Sequence, residues 1–159
     1  MREATDAAKV HLFMERLGRA VRGPGRVYFT GGVTALLFGW RPKTVDVDLK
    51  FDPEPPGCFE AIARLKDELS INVELASPDD FLPALPGWRE RSVPIGREGR
   101  VEFLHYDLRA QALAKIERGH SRDLGDVREM FARGLVAADE LRRLFAAIAP
   151  ELVRFPAID

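Results

Sequence analysis

The eight residues TVDVDLKF, Thr44 to Phe51, alternate between apolar and polar character over most of their length. Side chains on a strand point to opposite faces with a period of two. The spacing predicts a half-buried strand with Val45, Val47 and Leu49 on one face and Asp46, Asp48 and Lys50 on the other. The apolar face demands a sheet with a covering layer, so this segment restricts the chain to β-containing architectures. Two carboxylates at i and i+2 sit roughly 6.5–7 Å apart at Cα, and they repel unless one protonates or a cation sits between them. An acid face of this kind suits a solvated surface as well as a metal site, and the strand alone does not choose.

The neighbouring segments supply the rest of such a sheet. Val10, Phe13, Met14, Leu17 and Val21 recur at helical spacing, and RGPG, Arg22 to Gly25, ends that helix. RVYFT reads as a buried strand, Gly31-Gly32 as a tight turn and VTALLFGW as a short helix before the acid strand. CFEAIARLKDEL carries a helical stripe through Phe59, Ile62, Leu65 and Leu69, and INVEL alternates as a third strand. The proline- and glycine-broken stretch ASPDDFLPALPGWRERS predicts a surface loop with one helical turn at Pro78 to Phe81. SVPI and RVEFLHY read as a hairpin joined by GREG. Asp107 and Ser121 are suited to cap the helices LRAQALAKIERG and RDLGDVREMFARG, and a last helix covers about Ala138 to Ala149. The expected fold is α+β with an α/β-like element order: a small mixed sheet flanked by helices, with a helical C-terminal third, in a single domain over residues 1–159.

In INVEL, Asn72 and Glu74 alternate with Ile71, Val73 and Leu75, which puts one more acid on the polar face of a strand. If the second and third strands are adjacent, Asp46, Asp48 and Glu74 converge. Carboxylates without histidines suit a hard, oxygen-seeking cation, Mg²⁺ rather than Zn²⁺, and three of them on one face fit two-metal phosphoryl transfer. Gly31 and Gly32 lie at a strand-to-helix turn, where a missing Cβ lets the backbone approach a phosphate. Lys115 shares a helix flank with Leu108 and Ala112, within reach of a phosphate or of a surface acid.

Composition removes several function classes. With 24 Lys+Arg against 25 Asp+Glu, the formal net charge is −1, so no chain-wide field draws in nucleic acid or anionic membrane, and no DNA partner is expected. A single cysteine, Cys58, leaves no disulfide framework and no cysteine-based zinc site, as suits a reducing cytoplasm. The charged N-terminal stretch MREATDAAKVHLF does not read as a signal peptide, and no apolar run is long enough to span a membrane. His105 and His120 lack a neighbouring nucleophile or ligand set and read as structural. Arg89, Arg91, Arg97 and Arg100 around Trp88 form either a nucleotide or RNA contact patch or a solvated charged loop.

A glycine pair at a strand-to-helix turn, a short helix and then Asp-x-Asp on the next strand resembles the nucleotidyltransferase superfamily, the DNA polymerase beta-like fold. The matching residues are Gly31, Gly32, Asp46 and Asp48, with Glu74 in the place of the family's third carboxylate. ALAKIERGHSRDLGDVREMF, Ala112 to Phe131, is similar to the Lys…Arg-Asp-x-x-Asp segment of abortive-infection-type nucleotidyltransferase toxins, pointing to Lys115, Arg122, Asp123 and Asp126. The resemblance implies a minimal nucleotidyltransferase fold. It also implies Mg²⁺, with Mn²⁺ as the alternative ion, held by Asp46, Asp48 and Glu74, and a nucleoside triphosphate as substrate on Gly31, Gly32, Lys115 and Asp126. The implied reaction moves a nucleoside monophosphate to an acceptor hydroxyl on an RNA end, a protein or a small molecule, with a cognate antitoxin as a candidate partner. Many relatives carry Ser after the glycines where this chain has Val33, and Thr30 or Thr34 is then the nearest hydroxyl. The rival expectation is a catalytically inert nucleotidyltransferase-like domain that binds a nucleotide or a partner protein.

Overall fold

The structure is a computed structural model that describes residues 4–155; of the charged N-terminal stretch, residues 1–3 lie outside the described residues. The first helix, α1 (Ala7–Ala20), begins where the Asp6 carboxylate accepts the Lys9 N–H at 2.9 Å and buries Val10, Phe13, Met14 and Leu17. There follow β1 (Gly25–Thr30), the seven-residue α2 (Gly32–Phe38), β2 (Asp46–Phe51), α3 (Cys58–Glu68) and β3 (Asn72–Leu75). A 3₁₀ turn at Pro78–Asp80 and the one-turn α4 (Trp88–Arg91) lead to β4 (Val93–Glu98) and β5 (Val101–His105). Three helices close the described chain, α5 (Leu108–Arg118), α6 (Ser121–Ala132) and α7 (Ala138–Ile148), before a 3₁₀ segment at Ala149–Arg154. The fold is α+β, with one mixed five-stranded sheet in the order β3-β2-β1-β5-β4. Among the described residues, no helix is long and apolar enough to cross a membrane.

The chain divides into two compact units, Met1–Ala76 with Pro94–His105, and Ser77–Val93 with Tyr106–Asp159. In the first, β1 is antiparallel to β2 and parallel to β5, and β2 is parallel to β3. Val27, Phe29, Val47, Leu49, Val73 and Phe103 supply one sheet face to a core filled by Phe13 and Leu17 of α1, Val33 and Leu36 of α2, and Ile62 and Leu65 of α3. The alternation in β2 therefore has a direct cause: its apolar members close this core. Val45 is the exception at 60 % exposure, because β2 starts one residue later and Val45 precedes the ladder.

The second unit corrects two readings. The stretch expected to be a surface loop buries Leu82, Leu85 and Trp88, and Trp88 stacks on Tyr106 with ring centroids 4.4 Å apart and planes 5° from parallel. Its proline and glycine breaks shape a packed segment rather than a solvated one. On α6, Leu124, Val127 and Phe131 stand at the spacing that predicts a buried helical stripe, and of the three only Val127 is buried. Asp123, Asp126, Val127 and Met130 are buried, while Phe131 is 40 % exposed. At its start, His120 takes the N-cap position and Ser121 is the first helical residue, whereas Asp107 caps α5 as expected, accepting the Arg109 N–H at 3.1 Å.

Candidate active site on the acid face of the sheet

Strand pairing brings the polar residues of three strands onto one face. Asp48 lies opposite Thr30 of β1 on one side and Glu74 of β3 on the other, and Asp46 lies opposite Asn72. The second and third strands are adjacent, and all three acids belong to that face. Glu74 sits on the exposed edge strand. Asn72 mediates between the carboxylates, its Nδ2 donating to Asp46 Oδ1 and, at 3.2 Å, to Glu74 Oε1. Among the described residues, no group of three His, Cys, Asp or Glu side chains is placed to hold a metal ion. Asp46, Asp48 and Glu74 thus share one face of the sheet without closing into such a group.

The glycine turn meets that pair. Gly31 takes φ 63° and ψ −127° as the N-cap of α2, a backbone conformation open to glycine and strained for any side chain. A Cβ at Gly31 would lie 3.1 Å from Asp48 Oδ2, so the bare turn backbone rests beside the Asp48 carboxylate. Gly32 answers a different constraint. A Cβ there would lie 2.0 Å from Thr44 Oγ1, and that hydroxyl donates to the Asp46 carbonyl at 3.0 Å. Thr44 also forms an antiparallel bridge with Thr5 through backbone bonds of 2.7 and 2.8 Å. Gly32 thus leaves room for the residue that fixes the entry to β2.

Of the two hydroxyls nearest the turn, Thr30 stands opposite Asp48 on the acid face, and Thr34 is committed elsewhere. Val33 is fully buried in the core, and Thr34 is buried with its Oγ1 3.0 Å from His105 Nδ1 in a shared hydrogen bond. Burial holds the His105 imidazole neutral, its pKa lowered from 6.5 to about 4, and the Phe38 ring lies 4.8 Å from it. His105 is structural, as its sequence context suggests.

Lys115 lies in the second unit, on α5, buried at 7 % exposure. Its ammonium contacts Asp126 Oδ2 at 2.9 Å and Asp123 Oδ1 at 3.4 Å, and Asp123 Oδ2 lies 3.4 Å from Arg118 Nε. The motif Lys…Arg-Asp-x-x-Asp is therefore a buried ionic cluster joining α5 to α6. Arg122 of that motif is exposed. The arginines around Trp88 have partners of their own. Arg91 donates to Asp107 Oδ2 through Nε at 3.0 Å and Nη2 at 2.8 Å, Arg97 pairs with Glu102 at 2.7 Å, and the Arg89 guanidinium covers the Trp88 ring at 4.5 Å.

Two residues of this neighbourhood escape sequence reasoning. Thr44 is invisible because its contact with Gly32 is tertiary. Asn72 had a signal, since it stands at i−2 from Glu74 on the polar face of a strand that pairs with Asp-x-Asp.

No curated protein and no solved structure matches this chain. A family model described as nucleotidyltransferase of unknown function, DUF6036, matches residues 27–152. That span takes in the glycine turn, the acid strand, Asn72 with Glu74 and the Lys115 cluster, and the chain accordingly belongs to this nucleotidyltransferase family.

Proposed function

We propose that the protein is a Mg²⁺-dependent nucleotidyltransferase that moves a nucleoside monophosphate from a nucleoside triphosphate to an acceptor hydroxyl. The observation that carries this reading is the juxtaposition of Gly31 with Asp48: a side-chain-free turn held beside a carboxylate, with Asp46 two residues away on the same face. The donor chemistry fits the ion. Magnesium is commonly held by one or two carboxylates, with substrate phosphate oxygens and water completing its shell, and Asp46 and Asp48 offer that pair without a nitrogen or sulfur ligand. When bound, the ion supplies neutralisation of the triphosphate charge.

The chain's own residues carry the rest. Gly31 admits the phosphates close to its backbone. The acceptor oxygen forms a bond to the α-phosphorus as the bond from that phosphorus to the bridging oxygen breaks, and pyrophosphate leaves with the electron pair. The hydroxyl proton passes to Glu74, the exposed carboxylate opposite Asp48, or directly to water. Lys115 has its ammonium shared between two buried carboxylates, and we assign it the task of joining α5 to α6. The acceptor class we favour is an RNA end or a protein, which would suit the toxin of a toxin–antitoxin pair.

A second reading has an observation in its favour. With Val33 in the core and the Thr34 hydroxyl turned to His105, the glycine turn offers no side-chain hydroxyl from these two positions, which suits a nucleotide-binding domain without catalysis. One experiment separates the two: incubation with each α-labelled nucleoside triphosphate, Mg²⁺ and total cellular RNA or protein, comparing wild type with Asp46→Ala and Asp48→Ala. Label transfer abolished by both substitutions supports the enzyme. Transfer that survives both removes the mechanism, and nucleotide binding without transfer favours the inert domain.

A further inference from the structure

We infer that Asn72 is a positioning residue that sets the cation preference of the Asp46 carboxylate. The inference rests on the proposed metal site and adds to it a residue that selects the ion. Asn72 and Asp46 are register partners on adjacent parallel strands, and Asp48 and Glu74 are the next pair on the same face. Both groups that Asn72 contacts are carboxylates, which only accept, so the amide nitrogen with its two hydrogens must face them. One hydrogen goes to Asp46 Oδ1 and the other to Glu74 Oε1. A neutral double donor thus holds two like charges in place, as a bridging cation otherwise would.

The consequence lies in which oxygens remain. The Asn72 amide occupies one lone-pair site of Asp46 Oδ1 and fixes the carboxylate so that Oδ2 is the oxygen it offers first. Calcium takes six to eight oxygens and readily uses both atoms of a carboxylate, whereas magnesium demands a small octahedral shell and takes few protein oxygens. An Asp46 oriented to bind through one oxygen suits magnesium and disfavours calcium. Removing the amide frees Oδ1 and leaves the carboxylate able to offer both atoms. Residues that orient a metal ligand typically change metal affinity 10–100-fold when replaced, so the ratio of the two affinities should move by about tenfold or more.

The test uses the whole chain and needs no turnover. Mn²⁺ binding is followed by electron paramagnetic resonance and displaced by Mg²⁺ or Ca²⁺, in wild type, Asn72→Leu and Asn72→Ser. The expected result is a Ca²⁺-over-Mg²⁺ displacement ratio about tenfold or more higher in both variants. Asn72 is half-buried on the edge strand, and the smaller Ser variant carries the same expectation should Leu disturb the fold. An unchanged ratio in folded variants that bind Mn²⁺ overturns the inference while leaving the metal site standing. Wild type that binds no Mn²⁺, or binds it equally well as Asp46→Ala, overturns the metal site and this inference with it.

Discussion

Acidification should destabilise the protein through one identifiable group. His105 is buried beside Thr34 and Phe38, and burial lowers its pKa from 6.5 to about 4. The unfolded chain regains the ordinary value, so between these two limits it binds more protons than the native state. Stability that His105 contributes is complete above pH 6.5 and is lost as the pH falls towards 4. Each unit of displacement is worth about 1.4 kcal/mol, so the whole window accounts for about 3 kcal/mol. With a urea dependence of about 2 kcal/mol per molar, the unfolding midpoint should fall by about 1.5 M across the window. Urea titrations at half-unit pH intervals measure this directly. The double variant His105→Leu, Thr34→Val removes the proton site and its hydroxyl partner together, leaving the titrating carboxylates to act alike in both proteins. Equal pH slopes in wild type and the double variant would refute the argument, as would a His105 ring resonance in the folded protein that titrates near its ordinary value.

Two further substitutions probe the buried clusters. Lys115→Met takes the shared buried ammonium away from Asp123, which keeps its Arg118 contact, and from Asp126, and should cost up to about 3–5 kcal/mol in urea unfolding; adding Asp123→Asn and Asp126→Asn should restore most of it, and a loss below about 1 kcal/mol would show the cluster to be solvated. Val33→Ser places a hydroxyl in a fully buried core position, with an expected cost of about 1–3 kcal/mol and no gain in nucleotide affinity by equilibrium dialysis.

The elements around the site were legible because each has a local cause. The alternation of TVDVDLKF, the helical stripe of α1 and the Asp107 cap are written in neighbouring residues, and the structure places strands and helices accordingly. The glycine turn and acid strand were legible as a pattern, and their approach became concrete only through the pairing of Thr30 with Asp48. Less was readable where packing overrides periodicity. Asp123 and Asp126 look like acids placed to favour the start of α6, yet they are buried because Lys115 of α5 meets them. Leu124 and Phe131 look like core, but the buried face of α6 runs through the acids instead. Trp88 sits among arginines and glycines, and its stacking on Tyr106, 18 residues further along the sequence, has no local signature.

Val33 changes meaning once the turn is seen in place. In α2, Val33, Thr34, Ala35 and Leu36 are buried in succession, too wide an arc for an amphipathic helix with an open face. The helix is wedged in the core, with Val33 and Leu36 in the apolar cluster and Thr34 tied to His105. Gly32 is pressed against Thr44, which is itself fixed by Thr5 and by the Asp46 carbonyl. The direction of the Gly31 turn is thus set by packing on both sides of it, before any ligand arrives. A hydroxyl at residue 33 would follow its side chain into the core, away from any phosphate on the turn, so its absence removes nothing from this particular turn. What the turn presents to a ligand is its bare backbone at Gly31 and the carboxylates beside it. Under the proposed mechanism, triphosphate binding would depend on the cation that Asp46 and Asp48 would hold, and loss of either acid should then abolish nucleotide affinity in equilibrium dialysis together with label transfer.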